Sequence, residues 1–195
     1  YFLVINGIVG PVLLGAAVAT FFNGSNFIVR KANMANEMMP VISRWANGWH
    51  GLDAFGDPWN LILGLAVFFL ARLLGNMYFI NNIRHEGLIL RCRRQLISDA
   101  VPFLLFFLAF VIRTLLKDGF AVDAETQTIV MEPYKYFNNL LAMPYLLILF
   151  LGGVIGVLFG LVKSILSATY TKGIWFAGTG TVLTVLALLL CVGYN

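Results

Sequence analysis

The residues best suited to chemistry are an arginine and a nearby asparagine inside a long apolar stretch. Arg72 and Asn76 are one helical turn apart in the run 59–83, which holds no other charged residue. An arginine at the centre of a membrane span costs at least ~2.5–3.5 kcal/mol, so it usually faces a protein interior and has a partner. Because no carboxylate falls in the predicted spans, the partner acid is expected from outside this sequence. Alternatively, Arg72 extends toward the lipid head groups at the nearer membrane surface.

The residues that could ligate a redox cofactor are few, and most are badly placed for one. A haem inside a membrane needs axial ligands at depth, usually histidine or methionine. His50 and His85 lie in predicted loops, whereas Met77 and Met143 lie in apolar runs. Lone methionines in apolar helices are usually packing residues. The sequence therefore predicts that this chain binds no haem or metal directly and contains no catalytic residue.

The elements that would position these residues are membrane helices. The chain is 60% hydrophobic and 11% charged, which leaves too little charge for the surface of a soluble domain. Apolar runs of the length that a bilayer needs, about 20 residues, lie at about 2–22, 59–83, 101–116, 138–162 and 173–192. Asp57-Pro58, an N-cap acid before a proline suited to the first helical position, precedes the second run. The predicted fold is all-α, a polytopic transmembrane helical bundle of about five spans in a single domain, 1–195.

The loops predict an orientation and a surface cap. Basic residues are dense in the short segments 83–97 and 163–172, which places these segments on the cytoplasmic side. The longer segments 23–57 and 117–137 are then outside, and the aromatic residues of 23–57 predict a structured loop on the membrane surface. The net charge of +4 is scattered, so nucleic acid is not an expected partner. Both ends lie at apolar runs, so we expect a piece of a longer chain.

A row of glycines marks a surface where helices pack. Gly152, Gly156 and Gly160 recur at four-residue intervals in the fourth apolar run. Small residues at this spacing allow two membrane helices to approach closely. The row predicts a helix-packing face and carries no information about chemistry.

Three stretches resemble one protein family. They are GAAVATFFNGSNF (Gly15–Phe27), DPWNLILGLAVFFLARLLGNMYFINNI (Asp57–Ile83) and the closing LLCVGYN. Their order and spacing, with an arginine-rich segment after the second stretch, are similar to subunit II of the cytochrome bd-type quinol oxidases. The resemblance covers nearly the whole chain, and it rests on runs of aromatic, glycine and asparagine residues.

The resemblance implies a nine-span chain of which this would be roughly spans four to eight. In the family, subunit I carries haem b and haem d, whereas subunit II binds no haem, stabilises the complex and in some members holds a structural quinone. The complex oxidises quinol from the quinone pool, reduces dioxygen to water and charges the bacterial plasma (inner) membrane. The carboxylates and the Trp-Asp motif that the family uses near its proton path lie in its first two spans. No catalytic residue is therefore carried over to this chain.

Two other classes of function fit the apolar runs. A secondary transporter would use broken helices and intramembrane charge at a midplane site, and would often show repeated halves. No convincing repeat relates the five runs. A membrane scaffold without redox activity would share the missing ligands but would not purify with haem.

Overall fold

The computed structural model describes residues 1–30, 42–122 and 128–194. The chain is mostly helical, and five of the described helices are long and apolar enough to cross a membrane. It divides into two compact units, residues 1–67 and 68–195, which are described separately. The described ranges also contain four short strands, paired two by two, which were not predicted.

The first unit contains one full helix and the beginning of another. Its elements are α1 (Phe2–Asn23), β1 (Phe27–Val29), β2 (Ser43–Trp45), a 3-10 helix (Leu52–Gly56) and the first part of α2 (Pro58–Asn82). Strands β1 and β2 pair antiparallel, with Phe27 opposite Trp45. The described part of the predicted surface loop 23–57 is thus this hairpin and the 3-10 helix. The remainder of that prediction, 31–41, lies outside the described residues.

Helices α1 and α2 cross where each has a glycine. A Cβ built on Gly15 would lie 2.7 Å from Cα of Gly64, and one built on Gly64 would lie 2.8 Å from the carbonyl oxygen of Val12. Ala16 and Ala19 on the same side of α1 are fully buried. Since any larger residue would push the backbones apart, glycine at both positions sets the distance between the two helices.

Helix α2 begins as its sequence predicts. The backbone N–H of Trp59 donates to the carboxylate of Asp57 at 2.8 Å, and Pro58 is the first helical residue. This carboxylate satisfies an N–H that has no partner within the helix.

The second unit holds the remaining long helices. Its elements are the rest of α2, α3 (Glu86–Leu116), β3 (Gly119–Val122), β4 (Ile129–Glu132), α4 (Lys135–Ala142), α5 (Pro144–Leu166) and α6 (Gly173–Gly193). Strands β3 and β4 pair antiparallel. One apolar cluster joins α2, α3, α5 and α6: Leu73, Met77, Ile80, Cys92, Leu96, Ala100, Phe103, Val157, Leu161 and Ala177.

Helix α3 corrects the prediction of a basic loop at 83–97. The helix begins at Glu86 instead of near residue 101, and it is 31 residues long. Four apolar side chains of the basic segment pack against the cluster at helical spacing: Leu88, Ile89, Cys92 and Leu96. The arginines between them lowered the hydropathy of the segment, but this amphipathic pattern is typical of a helix with one exposed face. His85 caps the helix, because its Nδ1 accepts from the N–H of Leu88 at 3.3 Å.

The fourth predicted span, 138–162, is two helices. Helix α4 ends at Ala142 and α5 begins at Pro144, and Met143 between them is non-helical, with φ −118° and ψ 83°. Proline has no N–H to continue α4 and disfavours helical geometry in the residue before it. Asn139 on α4 holds the end of α6, because its amide donates to the carbonyls of Cys191 and Tyr194 at 3.1 and 2.9 Å.

Candidate functional site

An ion pair joins α2 to α3 in the second unit. Nε of Arg72 donates to both carboxylate oxygens of Asp99, at 3.1 and 3.0 Å. Nε2 of Gln95 donates to Oδ1 of the same carboxylate at 3.0 Å. The side chain of Asp99 is 3% exposed. The expectation that the partner acid of Arg72 comes from outside this sequence was therefore wrong.

The partner acid was missed because the third span was predicted to begin near residue 101, whereas α3 begins at Glu86. Asp99 lies two residues before the predicted span 101–116, so the sequence offered no acid inside a span. In the structure it lies well inside α3, on the buried face between Leu96 and Phe103. Gln95 is one turn earlier on this helix and satisfies a further lone pair of the carboxylate. A carboxylate in such surroundings is stabilised by charge-assisted hydrogen bonds from several donors.

The other side of the Arg72 guanidinium faces away from the chain. Its side chain is 42% exposed, and its Cζ lies 5.5 Å above the ring of Phe68. Its two terminal nitrogens have no acceptor among the residues that the structure describes. Next to it is Gly75, where an added Cβ would meet no described atom within 4 Å. Arg72 thus binds Asp99 through Nε and presents up to four N–H bonds to an open surface.

Asn76 lies one turn after Arg72 on α2 and is partly buried. Within the described ranges its amide has no hydrogen-bond partner. The structure therefore places Asn76 beside the ion pair without joining it to the hydrogen bonds of Asp99.

The glycine row of α5 contacts α6, but at one position the contact is made by a neighbouring glycine instead of the predicted one. Gly156 and Gly160 face α6: a Cβ on Gly160 would lie 2.6 Å from the carbonyl oxygen of Gly173. Gly152 does not, because a Cβ there would meet no described atom within 4 Å. Gly153 occupies the contact instead, with its added Cβ 2.7 Å from the backbone nitrogen of Thr184. A strict four-residue step drifts around a helix of 3.6 residues per turn, which explains the shift by one residue.

Small residues on both helices continue this contact. On α5 the buried positions include Gly153, Val157, Gly160 and Ser164, and on α6 they include Gly173, Ala177, Gly180 and Thr184. The hydroxyls in the contact donate within their own helices, Ser164 to the Gly160 carbonyl at 2.7 Å and Thr184 to the Gly180 carbonyl at 2.9 Å. The interface therefore buries no hydroxyl that requires a partner from the opposite helix.

A second arginine, which the sequence did not single out, fixes the end of α5. Arg93 donates through Nη1 to the carbonyls of Ser164 and Ser167, and through Nη2 to those of Ala168 and Tyr170 at 2.9 and 3.1 Å. The last carbonyls of a helix need donors, and a cation there also interacts favourably with the helix dipole. Helix α5 ends in LSATY without a glycine cap. The missing glycine cap was the sequence signal that the last carbonyls of α5 need donors from elsewhere in the chain.

The first unit holds a polar pocket lined by two of the stretches that carry the resemblance and by residues in and just before the 3-10 helix. Asn23 donates to Oδ1 of Asn60 at 2.8 Å, and Asn26 donates to Asp53 at 2.6 Å, around a cavity of about 200 Å³. Hydrogen bonds from Asn26 and then Asn47 hold the pKa of Asp53 below its usual value of 3.8. The asparagines of these stretches thus tie the end of α1 to the beginning of α2.

The possible cofactor ligands lie in separate places. His85 uses Nδ1 to cap α3, and His50 lies in the loop before the 3-10 helix. Met77 is in the core of the second unit, and Met143 packs against Leu146 and Cys191. In the described parts of the chain, no three His, Cys, Asp or Glu side chains are grouped so that they could hold a metal ion.

Comparison with known proteins identifies the family. The family model for cytochrome bd terminal oxidase subunit II matches residues 1–195. A comparison with individual curated proteins gave no match. The family match, together with five helices suited to a membrane, favours the oxidase over the transporter and the redox-inactive scaffold. The chain belongs to the cytochrome bd terminal oxidase subunit II family, and it is a membrane-bound subunit of a quinol oxidase complex.

Proposed function

We propose that this chain binds no haem itself and that it stabilises the haem-bearing subunit I within the membrane. Membership of the subunit II family implies the partnership with subunit I, and the family's complexes carry haems. The proposal adds that both haem b and haem d are ligated by the partner. It also implies that the chain interacts with the quinone pool only as part of the assembled complex.

The observation that best supports this proposal is that several polar side chains of the long helices already have partners within the chain. Asp99 and Gln95 are bonded to Arg72 or to each other, and Ser164 and Thr184 bond within their helices. Met77 is 1% exposed inside an apolar cluster, and the sulfur of Met143 accepts from the hydroxyl of Tyr145 at 3.2 Å. An axial haem ligand needs a lone pair directed at a space large enough for the macrocycle. These side chains are instead engaged in the packing of the chain.

We expect Met77→Leu and Met143→Leu to leave the haem spectrum of the complex unchanged. Leucine conserves the volume of methionine closely enough for the core to fold, but it cannot ligate iron. The measurement is the reduced-minus-oxidised spectrum of the complex purified through the full-length parent chain, normalised to subunit I. The b-type and d-type bands should keep their positions and amplitudes in both variants.

Loss or displacement of a band in one methionine variant, with subunit I still present in normal amount, would assign an axial ligand to this chain. A colourless preparation of the unaltered chain without subunit I would contradict the wider proposal. That second outcome would return the transporter to consideration.

Arg72 and Asn76 form the polar part of the contact with subunit I in this proposal. The outward N–H groups of Arg72 lack an acceptor among the described residues, although an unsatisfied donor in a membrane span is costly. The open position at Gly75 leaves room for a neighbouring helix to approach. A carboxylate or a free carbonyl on a helix of subunit I would satisfy the guanidinium. The Asn76 amide, one turn away, is in reach of the same helix.

Arg72→Lys tests this contact. Lysine keeps a cation for Asp99 but lacks the planar fork that lets arginine bind two partners at once. We expect the variant complex to lose subunit I at a lower temperature than the wild type, as measured by the haem that remains with the tagged chain during heating. Arg91→Lys is the matched control, since Arg91 is exposed on the same unit. Equal retention in both variants would show that Arg72 makes no contact with subunit I.

A further inference from the structure

A groove runs along the outer side of α5 in the second unit. It has a volume of about 490 Å³, and its lining includes Ile155, Phe159, Val162, Leu166 and, near the end of the helix, Lys163. Apart from Lys163 and Ser167, every lining side chain is apolar. From Ile155 to Leu166 the helix rises by about 16 Å, which is about half the thickness of a bilayer core.

The cation at the end of the groove lies level with other exposed cations. Because Gly160 and Ser164 contact Gly173, the register of the α5–α6 hairpin brings Lys172 to the level of Lys163. The contact of Arg93 with the Ser164 and Ser167 carbonyls brings this part of α3 to the same level.

The exposed cations at this end of the unit therefore include Lys163, Lys172, Arg91 and Arg94. Trp175 is 66% exposed one turn into α6, where an interfacial aromatic residue belongs. A ring of cations beside an exposed tryptophan is typical of a helix end among anionic head groups.

We propose that this groove binds an anionic phospholipid. One acyl chain lies along the apolar side chains from Ile155 to Leu166, and the phosphate is bound by Lys163 with Lys172 beside it. The length of the groove matches one leaflet, and the charge at its end complements a phosphate. Arg93 takes no part, because its two terminal nitrogens donate to four backbone carbonyls. The proposal does not depend on how the chain contacts subunit I or on which subunit holds the haems.

The test uses the complete oxidase with the full-length parent chain, stripped of lipid in detergent and then supplied with phosphatidylglycerol or phosphatidylcholine. Bound lipid is counted by native mass spectrometry. We expect the wild type to retain phosphatidylglycerol in preference to phosphatidylcholine. Lys163→Gln should bind phosphatidylglycerol about fivefold more weakly, the effect of one interfacial cation on an anionic lipid. Ile155→Trp, which fills the groove without changing the charge, should lower the retention of both lipids.

Arg91→Gln is the matched control, because it removes one charge at the same level outside the groove lining. A loss in Arg91→Gln equal to that in Lys163→Gln would show a general surface-charge effect and would overturn the proposal. Unchanged retention in both Lys163→Gln and Ile155→Trp would do so as well. Cross-linking of an Ile155→Cys variant to another polypeptide segment would show that a helix covers the groove and would also overturn the proposal.

Discussion

Gly160→Leu will separate α5 from α6 and prevent most of the chain from assembling into the oxidase. A Cβ at this position would lie 2.6 Å from the Gly173 carbonyl oxygen and 2.8 Å from the Ala177 nitrogen. Both are backbone atoms of α6, so the clash cannot be relieved by rotating a side chain. Overpacking a well-packed core typically costs about 1–3 kcal/mol, and a clash with backbone should cost at least the upper end of that range.

The measurement is the amount of subunit I, followed by its haem, that purifies with the tagged full-length chain. Gly160→Leu should reduce it severely. Gly152→Leu is the matched control: it adds the same side chain to the same helix, at a site where the added Cβ meets no described atom within 4 Å. If the two variants assemble equally well, the close approach of α5 and α6 at Gly160 is not required.

Long apolar runs were predictable from the sequence because bilayer thickness fixes the length of a spanning helix. All five predicted runs correspond to helices that could cross a membrane. What hydropathy misses is a helix that continues beyond its apolar part. The basic beginning of α3 was assigned to a loop although Cys92 and Leu96 recur at helical spacing, because its arginines dominated the average. A periodicity test on 86–97 would have found the helix and brought Asp99 into it.

Other features depend on contacts that no local pattern reveals. The Arg93 donors meet carbonyls more than seventy residues away along the chain, so nothing near Arg93 indicates its partner. Gly152 and Gly153 are adjacent and chemically identical. Which of them faces α6 depends on the rotation of α5 about its axis, and that rotation is set by the whole interface. Pro144 also needs its context to be interpreted: Pro11 and Pro102 lie inside continuous helices, so proline chemistry alone does not show which proline ends a helix.

Asp99→Ala will destabilise the chain because it leaves Arg72 in a membrane span without its acid. Removing one partner of a buried ion pair typically costs about 3–5 kcal/mol. Arg72 is 42% exposed and can bend toward its outward side, so we expect the lower end of this range. The measurement is the temperature at which the complex purified through the full-length chain loses half of its haem. Gln95→Ala removes one donor to the same carboxylate and should have a smaller effect of the same sign.

The double variant Arg72→Met, Asp99→Leu shows whether the cost comes from the unpaired charge. Replacing both members of a buried pair with apolar residues of similar size is often neutral or stabilising. The double variant should therefore assemble in larger amount than Asp99→Ala. It still lacks the outward N–H groups proposed to bind subunit I, so it should release subunit I about as readily as Arg72→Lys. Full recovery of both properties would mean that Arg72 interacts only with Asp99. No recovery would mean that the lost hydrogen bonds of the Asp99 carboxylate, and not the unpaired charge, cause the destabilisation.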